Sequence, residues 1–141
     1  MAVDLLLREG KINTGHALPA PNSYGPLPLN TMMQAGEADM ETLLKGVERG
    51  LYVTRFHYTN VVHPVKTLFT GMTRDGTFLI EHGELTQPVK NLRFTQNILD
   101  ALREVQAIGR ERIQCTEYLP VVAPALRVAR FNFTGITGSG I

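Results

Sequence analysis

Apolar and polar positions follow three regimes along the chain. Residues 1–38 hold little period and carry Pro19, Pro21, Pro26 and Pro28, which disfavour both helix interiors and central strands. They read as an extended Pro/Gly-rich arm. From Asp39 onward, Met40, Leu43, Leu44 and Val47 recur at i, i+3, i+4 and i+7, the stripe of an amphipathic helix of about three turns. Asp39 is the expected N-cap, Glu41 sits where the helix dipole favours an anion, and Gly50 fits a left-handed stop.

From Leu51 the period becomes two. Leu51–Tyr58 is rich in aromatic and β-branched types, which predicts a strand with Tyr52, Thr54, Phe56 and Tyr58 on one face and Leu51, Val53, Arg55 and His57 on the other. A loop at Asn60–Pro64 leads to a second run, Lys66–Thr73, and a third, Thr77–Glu81, joined by Arg74-Asp75-Gly76. Asp-Gly between two β-type runs predicts a hairpin, because both central residues of a type I′ turn need positive φ. His82-Gly83 turns the chain again into Glu84–Phe94, where Pro88 points to an edge or a bulge. Thr95 is the expected cap of a second helix with Ile98, Leu99, Leu102, Val105 and Gln106 along one side and Gly109 at its end. Two further β runs, Arg112–Val122 and Ala125–Phe133, flank Pro124. The expected fold is α+β, a mainly antiparallel β-sheet (meander) with two short amphipathic helices. Residues 39–134 form one module, and 135–141, with three glycines, a flexible tail.

Composition narrows the function classes. With 14 Lys+Arg against 13 Asp+Glu the formal charge is +1, and the basic residues are scattered, so no general field grips phosphates and nucleic acid is not an expected partner. No stretch approaches the roughly 20 apolar residues of a membrane span, so no membrane partner is expected and the chain reads as cytoplasmic. A single cysteine, Cys115, excludes an internal disulfide and a zinc site built of several thiolates.

Candidate chemistry is sparse. The histidines, His16, His57, His63 and His82, fall on no predicted helix, and none forms the paired spacing of a zinc hydrolase, so no metal site within the chain is expected. Cys115 sits in a predicted strand with no fixed base partner and reads as buried and inert; a small hydrolase using Cys115 with a histidine has no motif behind it. Serine hydrolase elbows and phosphate-cradling glycine loops are absent from the sequence. Arg55 and His57 stand out, because on a strand they project to one face two residues apart, where guanidinium and imidazole could jointly hold a carboxylate. The bland alternative is an exposed face with Arg55 paired to a cross-strand acid such as Glu81.

The run from Gly50 to Tyr58, the run from Thr70 to Glu81 with its Thr73-Arg74-Asp75-Gly76, then Gly83-Glu84 and Asn91-Leu92-Arg93-Phe94, resembles the C-terminal region of the TldD/PmbA family. Pro124-Ala125-Leu126-Arg127-Val128 with Phe131-Asn132-Phe133-Thr134 is similar to the family's end, and Thr14-Gly15-His16-Ala17 and Pro28-Leu29-Asn30 fit the segment leading in. That family, first called modulator of DNA gyrase, includes zinc metallopeptidases that process modified peptides and partly unfolded proteins. The resemblance implies a C-terminal module that builds the substrate chamber and the subunit interface. Zinc belongs to the family's catalytic subunit, on a His-Glu-x-x-x-His helix that is missing from this sequence. The block is closer to the metal-free PmbA-type subunit, and Cys115 lacks the glycine-rich surroundings of the family's late ligand. The implied chain is therefore a truncated piece, inactive alone and without a cofactor of its own. Its implied partners are a second copy or a related TldD/PmbA-type subunit, and a peptide or unfolded-protein substrate that Arg55 and His57 would contact. The competing expectation is a stand-alone, non-enzymatic interaction domain that self-associates through strand edges.

Overall fold

A computed structural model describes residues 16, 18–23, 27–116 and 119–136. Its elements in chain order are β1 (Thr31–Met32), α1 (Met40–Lys45), β2 (Arg49–His63), β3 (Leu68–Glu81), β4 (Glu84–Pro88), β5 (Leu92–Asn97), α2 (Ile98–Arg103), β6 (Val105–Cys115), β7 (Val121–Val128) and β8 (Phe133–Ile136). They fall into two compact units, a smaller one within Met1–Gln34 and Ile113–Ala123 and a larger one within Ala35–Arg112 and Pro124–Ile141. Strand predominates, with two short helices, so the α+β class holds. Within the expected arm, residues 1–15, 17 and 24–26 lie outside the described residues. Its described part contributes β1, which lies parallel to β7 through Thr31↔Val121 and Met32↔Val122. A three-stranded sheet runs in the order β1-β7-β6. Of the expected tail, Gly135 and Ile136 belong to β8, and 137–141 lie outside the described residues.

The larger unit is organised by β3. β2 pairs with it antiparallel along its length, while its opposite edge is shared between β5, which takes Leu68–Met72, and β4, which takes Phe78–Glu81. β8 adds to β5, giving the order β2-β3-β5-β8 with β4 beside β3. The Asp75-Gly76 pair, expected to close a hairpin, lies inside β3 instead. Val53 faces Thr77 and Arg55 faces Arg74, so Thr54 alone stands opposite Asp75 and Gly76, a β-bulge. Both bulge residues have positive φ, 63° and 127°, and the Thr54 hydroxyl donates to the Gly76 carbonyl at 2.7 Å. A type I′ turn and this bulge demand the same backbone freedom, so local chemistry cannot separate them. The expected turn at His82-Gly83 is present, with φ of 51° and 82° between the paired Glu81 and Glu84.

Other boundaries moved for identifiable reasons. β2 runs through the expected Asn60–Pro64 loop as far as His63, with register shifts that absorb Tyr58 and Val62. Pro88 splits the expected Glu84–Phe94 strand, ending β4 for want of an N–H. Asp39 caps α1 as expected, its carboxylate accepting from the Thr42 N–H at 2.8 Å, but α1 ends at Gly46 rather than Gly50. A Cβ at Gly46 would stand 1.4 Å from Arg127 Nη1, and that nitrogen donates to the Thr42 carbonyl at 3.2 Å. A guanidinium thus occupies the helix exit, where the dipole favours a cation. α2 is capped by Asn97, not Thr95, and stops before Val105, so Val105, Gln106 and Gly109 lie in β6. Asn97 Oδ1 accepts from the Asp100 N–H at 3.1 Å while Nδ2 donates to the Lys66 carbonyl at 2.8 Å, tying the cap to the β2–β3 turn. The expected stripe of α2 does not form its buried side either: Leu99 and Leu102 are exposed and Ala101 is buried.

One face of the large sheet carries the core. Phe94 of β5, 1% exposed, packs edge-on to Phe56 at 4.7 Å and to Phe131 at 5.4 Å, and Phe131 stacks on Phe56 at 5.1 Å and leans on Phe133 at 5.3 Å. Phe94 reaches across β3 because its register partner there is Gly71, where a Cβ would lie 2.7 Å from the ring. Thr73 and Thr77 are fully buried. The Thr73 hydroxyl accepts from the Leu92 N–H at 3.0 Å, whereas the Thr77 hydroxyl has no hydrogen-bond partner among the described residues.

These contacts fix three expectations. Gly71→Ala should cost about 1–3 kcal/mol in urea unfolding, since the Phe94 ring must move. Thr73→Val should cost about 1–3 kcal/mol by orphaning the Leu92 N–H, while Thr77→Val should be neutral or stabilising; equal losses from both would refute the assignment of partners. Hydrogen bonds from Thr42, assisted by the Arg110 guanidinium 2.8 Å away, hold the Asp39 carboxyl below its ordinary value of 3.8. A carboxyl with a depressed folded pKa contributes stability above its unfolded pKa and loses it as pH falls through the folded one. The stability gap between wild type and Asp39→Asn should therefore be full near about pH 5 and close only below the ordinary carboxylate range, which paired denaturation curves across that interval would test.

Candidate functional site

Among the described residues β2 pairs only with β3, leaving its outer edge without a strand partner. The far half of this edge carries apolar side chains in the open: Tyr58 is 65% exposed, Val61 54% and Val62 53%, with Val65 of the following turn at 88%. Tyr58 also holds φ of 51°, a conformation that a bulky residue adopts only under constraint from its surroundings. Asn60 Nδ2 donates to its carbonyl at 2.9 Å and helps to fix this bend. Nothing in the sequence signalled it, because neither glycine nor asparagine stands at 58.

Register fixes which side chains share the sheet face opposite the phenylalanines. Arg55 pairs with Arg74, and His57 with Met72, which in turn pairs with Arg93 of β5. Directly paired residues and those two apart along a strand lie on the same face. Arg55, His57, Arg74 and Arg93 are thus gathered on one side, with Phe56, Gly71 and Phe94 on the other. Arg55 and His57 share a face as the sequence predicts. The acid beside Arg55 is Asp75 of the bulge, Nη2 to Oδ2 at 2.6 Å, rather than Glu81, and Arg74 Nε lies 3.8 Å from the other Asp75 oxygen. Arg74 and Arg93 were missed because only pairing across strands places them beside Arg55.

The remaining candidates do not converge. Cys115, expected to be buried, is exposed at the end of β6, because the final residues of β6 lie open to solvent. His63 Nδ1 accepts from the Lys66 N–H at 3.3 Å and His82 pairs with Glu48 at 2.5 Å, both at turns. Among the described residues no three His, Cys, Asp or Glu side chains come together to hold a metal ion. No helix among the described residues is long and apolar enough to cross a membrane.

The chain is 29% identical over 102 residues to a metalloprotease of Synechocystis, covering 71% of this chain and 21% of that protein. It is 26% identical over 92 residues to a metalloprotease TldD homologue of Buchnera aphidicola, covering 62% and 18% respectively. It thus spans about a fifth of the length of these curated relatives. The crystal structure of TldE from Thermococcus kodakarensis shares the fold over 94% of this chain and 29% of its own, with a TM-score of 0.68 at 18% identity. The description of the PmbA/TldA metallopeptidase C-terminal domain matches residues 7–135, nearly the whole chain, and it is to this family that the chain belongs.

Proposed function

We propose that the chain is a substrate-chamber and interface module of a TldD/PmbA-type assembly working on peptides or unfolded proteins in the cytoplasm, with zinc held by residues outside it. The observation that carries this reading is the outer edge of β2, unpaired among the described strands and followed by exposed Tyr58, Val61, Val62 and Val65. Such an edge can take an extended chain through its backbone N–H and C=O groups, with side-chain contacts giving selectivity. Apolar side chains beside it favour association with a second copy or a related subunit. Arg55 and His57, next to the edge on one face, are the proposed polar contacts to the bound peptide.

Native mass spectrometry of the chain with and without zinc tests the assembly. The expected species is a metal-free dimer or larger oligomer, unaltered by zinc. The double substitution Tyr58→Lys and Val62→Lys, at exposed positions that leave the phenylalanine core intact, should shift it to monomer. Oligomers that persist in that variant would remove this edge from the interface, and stoichiometric zinc would place metal chemistry back in the chain.

A further inference from the structure

Charge is unevenly placed on the face opposite the phenylalanines. Arg55 and Arg74 stand directly opposite one another on β2 and β3, where like charges are unfavourable, and Arg93 extends the same charge onto β5, exposed like the other two. The nearby Asp75 carboxylate, raised beside the pair by the bulge, lies within 2.6 Å of Arg55 and 3.8 Å of Arg74. All three side chains are about half exposed. Ion pairs this open contribute little and are readily exchanged.

We propose that Arg55, Arg74 and Arg93 form a recognition site for a carboxylate borne by an extended peptide, and that Asp75 occupies it in the unliganded chain. The proposal rests on the peptide-binding reading of the β2 edge and names the class of substrate, an acidic peptide. A strand added to β2 places alternate side chains on the arginine face, and a Glu or Asp among them meets a guanidinium pair able to donate charge-assisted hydrogen bonds. Charge complementarity singles out the occupant: the chain as a whole is nearly neutral at +1, yet this face gathers three arginines. Single-stranded nucleic acid would want aromatic rings interleaved with the cations, and the phenylalanines lie on the other face.

The test uses the 141-residue chain and two fluorescent, acetylated and amidated heptapeptides of alternating valine and threonine, one with a central glutamate and one with glutamine in its place. Wild type should bind the glutamate peptide about tenfold more tightly, a preference that shrinks as salt rises. Arg74→Gln with Arg93→Gln should abolish the preference while leaving the glutamine peptide's affinity in place. Asp75→Asn should strengthen it; asparagine tolerates the left-handed backbone at 75, so the bulge is kept. Equal binding of both peptides by wild type would overturn the carboxylate site and leave the edge reading standing. Binding of neither would overturn both, and tighter binding of a single-stranded oligonucleotide than of the glutamate peptide would overturn the assignment of the face to peptides.

Discussion

The approach of the Phe94 ring to the backbone of Gly71 is the constraint on which the larger unit turns. β3 lies between β2 and β5, and a side chain at 71 would keep β5 from laying its aromatic ring over it. With no Cβ there, Phe94 spans β3 and touches Phe56 of β2, and Phe131, just before β8, and Phe133, its first residue, close the cluster. Residues far apart in sequence are thereby joined across four strands by dispersion and edge-to-face contacts. The glycine's cost in backbone entropy is offset by burial of a whole phenylalanine, one of four buried apolar residues among the described ones.

That contact also assigns the faces. Once Phe56 and Phe94 are committed to the core, the pleat sends Arg55, His57 and Arg93 to the opposite side. The bulge at Asp75-Gly76 lets β3 continue beside β2 while setting a carboxylate next to Arg55. Hairpin closure at that point would have ended β3 early and left β2 without a partner for half its length. Hydrophobic packing on one face and charge arrangement on the other are therefore one decision, made by register.

Much of this was legible in residue types, and the failures share a cause. Period-two runs located β2 and the two halves of β3, Asp39 was recognisable as a cap, and His82-Gly83 as a tight turn. What could not be read was whether a local signal ends an element or bends it. Asp75-Gly76 satisfies a turn and a bulge equally; Gly50 is a plausible helix stop until Arg127, distant in sequence, fills the exit at Gly46. Val105 and Gln106 continue a helical period, yet Val105 and Ile108 go to β6, beside which Ala38 forms its bridge at Gly109. Of the candidate site, Arg55 and His57 were visible because they are two apart on one strand. Arg74 and Arg93 were not, since their proximity exists only through pairing.

The division of labour between local and long-range information bears on how such a module can evolve a binding face. The aromatic face tolerates little, because Gly71, Phe94 and Thr73 each answer to a specific neighbour across a strand. On the opposite face Arg55 and Arg74 flank the Asp75 carboxylate with about half of each side chain exposed, so a change there leaves the phenylalanine contacts in place. In a sheet built this way the backbone edge is fixed by packing on one face, while the exposed side chains of the other face vary independently of it. Exposed side chains of that kind can be altered at little cost in stability.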